Sequence, residues 1–437
     1  MRKFYGRDEE LAVLEQNERQ SNTSATFTVI VGRRRVGKTT LLQKSLEGRR
    51  HVYLFIGREN EAMLCRRLQQ DIEQALELPI LGMASSFADL FEILMKASIT
   101  EHFSVILDEF QNFVNVNPSV FGQIQNIWDK YHRQSKMNLI VCGSIHRMMK
   151  QIFDNPDEPL YGRATSRLFL RPFTTHVVKN ILADHNPSFS SEDLLCLYMI
   201  SGGVAKYVSL LMDAGAVTQK EMIDFVCRAD SYFFTEGQSM ISDEFGKEFE
   251  TYFAIMQMVA SGMTKQSEIC GLLGKNVGTY LHNLDAQYEL IYRRKPLLSK
   301  PNSRNLQYGV RDNFMRFWFH FIYPNLSLIE RGRVDLLRNR IEKEYNQFSG
   351  ITLERYFHDK IGQTSNYTQI GAYWDRKGVN EIDLLAIDES NHTGLAAEIK
   401  RNPNKYNPLL LQQKVDNLPA EFARYRWQIQ CLSMEDM

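Results

Sequence analysis

Gly32-Arg33-Arg34-Arg35-Val36-Gly37-Lys38-Thr39 has the spacing G-x-x-x-x-G-K-[ST], in which glycines let backbone amides close around phosphate oxygens. In that chemistry Lys38 meets the β- and γ-phosphates as a point charge, and the Thr39 hydroxyl ligates Mg²⁺. Thr40 shares the same first helical turn, whose dipole adds a positive field. A second constellation follows at Asp108-Glu109, after the apolar run Ser104-Val105-Ile106-Leu107. Asp108 is placed to hold Mg²⁺ through water, and Glu109 to orient and partly deprotonate the attacking water. Ser144, after Asn138-Leu139-Ile140-Val141-Cys142-Gly143, is placed to sense the γ-phosphate. Each feature has a blander reading: a glycine-rich turn without a ligand, or a solvated acid pair at a strand end. Their order, and the strand and helix flanking the glycine loop, favour ATP and Mg²⁺.

These residues need a scaffold, and the pattern around them supplies one. Phe27–Val31, Val52–Ile56, 104–107 and 138–142 read as strands. They alternate with helical stretches at 61–76, 86–97 and 119–134, the signature of a parallel sheet covered by helices. The predicted fold class is therefore α/β, with a parallel-sheet P-loop core over residues 1–173 that closes on a last strand near Leu168–Phe173. The pattern is then helical to about 235, broken by Ser201-Gly202-Gly203, which predicts a helical lid over 174–240 with a glycine hinge.

Residues 241–325 read as a winged helix-turn-helix. Its helices are the amphipathic stretch through Phe249, Tyr252, Phe253, Met256 and Val259, then Lys265–Leu273 and Val277–Tyr288. Its wing, Leu290–Val310, carries Arg293, Arg294, Lys295, Lys300 and Arg304, a patch suited to the phosphate backbone of DNA or RNA. The competing reading is a basic turn that discourages strand pairing. The aromatic run Phe314–Tyr323 contains Arg316 and His320 and is too short to span a bilayer, so it reads as core packing.

A second chemistry lies in 326–437. Asp383 sits near a strand start, and Glu398-Ile399-Lys400 places an acid and an ammonium on one face of a following strand. Two carboxylates and a lysine suit a divalent metal and an activated water, and Glu354 on the preceding helix is a further ligand. An isolated E-x-K is more often a salt-bridged edge. The order of acid on a helix, Asp at a strand start and then E-x-K resembles the nucleases of the PD-(D/E)XK type, implying a small α/β restriction-endonuclease-like domain.

Lys plus Arg equals Asp plus Glu at 52 each, so global charge does not argue for nucleic acid. Six scattered cysteines, with no C-x-x-C pair, argue against a zinc site or a disulfide framework. The charged first ten residues lack the apolar stretch of a signal peptide, and no later run reaches membrane-spanning length, so a cytoplasmic protein is expected.

Read together, the chain resembles the archaeal-type AAA+ ATPases, related to STAND and MoxR-neighbouring P-loop groups, that end in a domain of unknown function. The resemblance spans nearly the whole length. It rests on Phe4-Tyr5-Gly6-Arg7-Asp8-Glu9-Glu10-Leu11 for F-x-G-R-x-x-E-L, on the glycine loop, on V-I-L-D-E-F-Q around Asp108, and on C-G-S at Ser144. The resemblance implies that the opening segment packs beside adenine. Pro159-Leu160-Tyr161-Gly162-Arg163 is similar to P-L-Y-G-R, which implies an arginine finger at Arg163, with Arg167 as the fallback, acting within one chain or from a neighbouring copy. Gly202–Tyr207 is similar to G-G-x-P-x-Y, with Ala205 where proline is usual. Trp374, Glu381, Asp383, Glu398 and Lys400 match the tail pattern. The expected function is a Mg²⁺-dependent ATPase that couples nucleotide state to a nucleic-acid-binding winged helix and a nuclease-like tail, with no membrane contact and with homo-oligomers allowed. The alternative is an ATP-held signalling switch, or a transcription regulator, whose tail docks partners without cleaving.

Overall fold

The computed structural model describes residues 3–245, 249–300, 302–303, 305–364 and 367–437. The chain forms two compact units, Met1–Arg171 and Pro172–Met437.

Five strands make the sheet of the first unit: β1 (Thr26–Val31), β2 (His51–Phe55), β3 (Phe103–Asp108), β4 (Met137–Gly143) and β5 (Ser166–Phe169). All neighbours pair parallel, in the order β2-β3-β4-β1-β5. Strands β1, β3 and β4 are buried throughout and read as continuous apolar runs, as a sheet covered on both faces requires. One face packs Phe27, Val29, Val105, Leu107 and Val141 against helices Glu61–Leu76, Phe87–Thr100 and Val120–Tyr131. The other packs Ile30, Ile106 and Ile140 against Leu14, Leu41 and Leu42, from helices Asp8–Ser21 and Lys38–Ser45. At the amino ends of the strands Glu18 is buried but satisfied: Ser104 Oγ donates to its carboxylate at 2.7 Å and Asn138 Nδ2 at 2.6 Å.

The second unit begins with helices Thr175–His185, Ser191–Ser201, Ala205–Asp213, Gln219–Val226 and Phe233–Phe245. Helices Phe249–Ala260, Gln266–Leu273 and Gly278–Ala286 follow, then the antiparallel pair β6 (Ile291–Arg294) and β7 (Gln307–Val310). The Phe314–Tyr323 run is core, as expected: Phe314 meets Tyr207, Trp318 and Phe319 meet Phe253, and Phe317 and Phe321 meet Phe348. That seam joins the helices on either side of it. Helix Val334–Thr364 leads into a four-stranded sheet of β8 (Gln369–Trp374), β9 (Glu381–Asp388), β10 (Thr393–Lys400) and β11 (Arg426–Ser433). Its order is β11-β10-β9-β8, antiparallel except where β10 meets β11.

The glycine break is a tight turn. Gly202 and Gly203 have φ of +57° and +75°, and Phe173 N–H donates to the Gly203 carbonyl at 2.7 Å. Helix Ala205–Asp213 starts on Ala205, a first-turn position that proline also fits, so the alanine costs no helix. A Cβ on Gly203 would lie 2.4 Å from the Phe173 carbonyl oxygen. Gly203→Ala should therefore destabilise the protein by about 2–4 kcal/mol, through combined strain and clash. Chemical denaturation checks this, with Gly215→Ala, which meets no neighbour, as the milder control.

Candidate functional site

Strand β1 delivers the glycine loop to its carboxyl end, and the loop turns directly into helix Lys38–Ser45. Gly32 is obligatory, because a Cβ there would sit 2.9 Å from the Leu170 carbonyl oxygen. Gly37 has φ of +102° at the helix start, and Arg35 takes φ of +72°. Val36 is buried in the apolar cluster of Leu41 and Leu42 and pins the loop from below. Lys38 Nζ donates to the Gly32 carbonyl at 2.6 Å and the Arg33 carbonyl at 3.2 Å. Burial pushes its ammonium pKa down, opposed by the negative field of Glu109 and Asp108. Arg33 and Arg34 complete the loop, and Thr39 and Thr40 lie exposed in the first helical turn.

Strand β3 carries Asp108 to the same end of the sheet, where it is largely buried. Its Oδ1 accepts from Glu109 N at 2.9 Å. Glu109 adopts φ of +55°, an uncommon conformation for a residue with a side chain. Two bonds hold its carboxylate: Ser144 Oγ donates to Oε2 at 2.8 Å, and Gln111 Nε2 donates to the same oxygen. Gly143 makes room, since a Cβ there would meet Gln111 Oε1 at 2.6 Å and Met149 Sδ at 2.3 Å. The structure thus gathers the loop, Lys38, Thr39, Asp108, Glu109 and Ser144 at one edge of the sheet.

Three further side chains belong to this edge, none with a role readable in advance. Arg7, inside the F-x-G-R segment, is buried and donates to the Val36 carbonyl at 3.2 Å and the Arg171 carbonyl at 2.7 Å, tying the opening segment to the loop. Gln111 positions Glu109. Tyr53 on β2 donates its hydroxyl to Asp108 Oδ2. Tyr53 and Asp108 are far apart in sequence, and only the pairing of β2 with β3 makes them neighbours.

The structure does not bring Arg163 to the loop, which corrects the expectation of a finger within one chain. Its guanidinium grips Asp129 with two bonds, at 2.8 and 3.1 Å. The nearby Thr165 N–H donates to Phe27 O at the amino end of β1, whereas the glycine loop follows the carboxyl end of that strand. Arg167 pairs with Asp154.

In the second unit the four expected tail residues converge. Lys400 Nζ bonds Asp383 Oδ2 at 3.2 Å and also Glu398 Oε2, and Ile399 N–H donates to Asp383 Oδ2 at 2.8 Å. Burial opposes ionisation of Glu398, but bonds from Lys400 and Lys414 outweigh it and hold its carboxyl below the ordinary range. Burial, then repulsion by Glu398, raises Asp383. Glu354 is pushed up to about 7 by burial, with Asp383 adding repulsion. Lys414, from helix Pro408–Asp416, carried no sequence signal. Among the described residues no group of three or more His, Cys, Asp or Glu is placed to hold a metal ion, and Lys400 and Lys414 bond the carboxylates.

The wing also differs from expectation. Asp285 on the preceding helix pairs with Arg293 at 2.5 Å and Arg311 at 3.5 Å, and Arg294 bonds Gln307 and lies 5.0 Å from the Trp374 ring. The connection between β6 and β7 is docked, with Leu297 N–H donating to Ala372 O and Leu297 and Leu298 packed against the tail sheet. Arg304 lies outside the described residues.

An ATPase domain family predominantly from Archaea matches residues 4–211, and a family of archaeal and bacterial proteins of unknown function matches residues 318–408. An uncharacterized protein of Methanocaldococcus jannaschii is 30% identical over 408 residues, 91% of this chain and 87% of that protein. The chain belongs to this archaeal-type ATPase family. Among solved structures, a Walker-type ATPase of Pyrococcus abyssi superposes with a TM-score of 0.52 at 17% identity, covering 72% of this ATPase and 96% of that chain. The ORC2 protein of Aeropyrum pernix, in its ADPNP–ADP complexes, gives 0.52 at 15% identity, covering 78% and 96%. At these identities the likeness shows the fold alone, a P-loop α/β core. Among the described residues no helix is long and apolar enough to cross a membrane.

Glu354 allows a test of the tail's electrostatics. Its folded pKa, about 7, lies above the ordinary carboxyl value of 4.5, so the folded ATPase holds a proton there that the unfolded chain releases. That stabilisation is complete below pH 4.5 and is lost as pH rises to about 7. Urea midpoints measured across that window should carry a falling component that vanishes in Glu354→Gln.

Proposed function

We propose that this ATPase hydrolyses ATP with Glu109 as the group that orients and deprotonates water. The observation carrying the reading is the fixing of the Glu109 carboxylate by Ser144 and Gln111, beside Asp108 and within the field of Lys38. Lys38 leaves the Gly32 and Arg33 carbonyls for the β- and γ-phosphates, and the loop amides, Gly32 to Gly37, surround the phosphate chain. The Thr39 hydroxyl and Asp108 are hard oxygen donors that suit Mg²⁺, which supplies neutralisation of charge on the phosphates when bound. Water oxygen attacks the γ-phosphorus, the bond to the bridging oxygen of ADP breaks, and Glu109 takes the water's proton. Arg7 and the segment from Phe4 to Leu11 support a place for the adenine beside the loop. A finger role for Arg163 requires a second copy, because its own loop lies at the other end of β1.

For the tail we propose a nuclease-like site acting on DNA or RNA, supported by the convergence of Glu354, Asp383, Glu398 and Lys400. The module of three helices and the β6–β7 hairpin is read as a winged helix. Its contribution to nucleic-acid contact rests on the exposed Lys300, since Arg293 and Arg294 already have protein partners. One observation favours the rival reading of a docking tail without cleavage: Lys400 and Lys414 occupy both oxygens of Glu398.

Lys38→Ala should abolish binding of a fluorescent ATP analogue. Glu109→Gln should keep that binding and lower turnover by about 100-fold or more, the usual worth of a positioned base. Equal hydrolysis in wild type and both variants would sink the assignment, and a wild type that retains ATP without turnover would establish the switch. Labelled DNA and RNA, incubated with Mg²⁺ or Mn²⁺ with and without ATP, should be cut by wild type and spared by Asp383→Ala. Intact substrate under every condition would establish the docking tail.

A further inference from the structure

Tyr53 stands in β2 opposite Ile106, so its side chain emerges beside the end of β3 that carries Asp108. Asp108 has two carboxylate oxygens. Oδ1 is taken by Glu109 N–H at 2.9 Å, and Oδ2 accepts the Tyr53 hydroxyl. The phenol thus occupies an oxygen of a side chain assigned to Mg²⁺ in the reading above, on which this inference rests.

We propose that the Tyr53 hydroxyl is a placeholder for Mg²⁺, satisfying Asp108 until the metal displaces it. A neutral phenol that donates to Asp108 directs a proton at the oxygen a cation needs, so the two occupants exclude each other. The ring has somewhere to go. Strand β2 is an edge of the sheet, Tyr53 is 36% exposed, and its neighbour on the same face, Phe55, is 47% exposed. In the metal-free protein the phenol spares Asp108, mostly buried, an unpaired charge. The consequence is a threshold: Mg²⁺ has to compete with a hydrogen bond built into the protein, so engagement of the metal is linked to movement of the ring.

The test is equilibrium binding of a fluorescent ATP analogue to the full chain across a Mg²⁺ titration, read without turnover. Tyr53→Phe keeps the ring and removes only the hydroxyl. It should lower the half-saturating Mg²⁺ concentration roughly tenfold, the worth of one hydrogen bond to a charged acceptor, with binding in excess chelator unchanged. Tyr53→Leu should shift it in the same direction. An unchanged midpoint overturns the proposal, and a midpoint moved upward overturns it in favour of a phenol that helps to hold the metal. Asp108→Asn separates the underlying reading: Mg²⁺ dependence surviving intact in that variant shows that the metal does not use Asp108, and the placeholder falls with it.

Discussion

Parallel strand pairing in the order β2-β3-β4-β1-β5 is the constraint on which the nucleotide site depends. In a parallel sheet all carboxyl ends lie on one edge, so whatever follows β1, β3 and β4 is brought together regardless of its separation in the chain. The glycine loop, the Asp108-Glu109 pair and Ser144 each follow one of those strands, and β3, β4 and β1 are consecutive neighbours. Buried apolar runs on both faces hold the register. Glu18, Ser104 and Asn138 satisfy one another at the opposite edge, where a lone buried carboxylate would be costly.

The second unit is organised by packing. Aromatic side chains from 314–323 reach both the helices before them and helix Val334–Thr364 after them. Arg316 is buried among them, its guanidinium 3.8 Å from the Phe348 ring centre and its donors spent on the Phe348 carbonyl at 3.1 and 3.2 Å. A charge so placed needs these partners, which is why a cation inside an aromatic run is compatible with a core. The same economy explains the docked hairpin. Leu297 and Leu298 bury apolar surface against the tail sheet, and Asp285 neutralises Arg293 and Arg311.

Much of the architecture was legible because its signals are local. Helix Glu61–Leu76 matches the expected 61–76, helix Gln266–Leu273 matches a start near Lys265, and the first four strands of the first unit fall on the apolar runs read as strands. The last of them was displaced: β5 is Ser166–Phe169, whereas the apolar pattern pointed to Leu168–Phe173. Strand β5 is short and at an edge, with alternating exposure, so apolar content is a poor guide to its limits. The partners of the wing's basic residues were hidden for a related reason. Charges on one hairpin say nothing about an acid on the helix beside it.

The sequence by itself determined the phosphate loop, the acids at the end of β3 and within β9 and β10, and the alternation of strand and helix, because each depends on residues a few positions apart. Tertiary structure alone decided which side chains complete those sites. Tyr53 reaches Asp108 through the β2–β3 pairing, Lys414 reaches Glu398 from a later helix, and Arg163 is carried to the wrong end of β1 for its own loop. A hydrogen bond or ion pair needs atoms within about 3 Å, and pairings across strands and helices set such distances where one-dimensional spacing cannot.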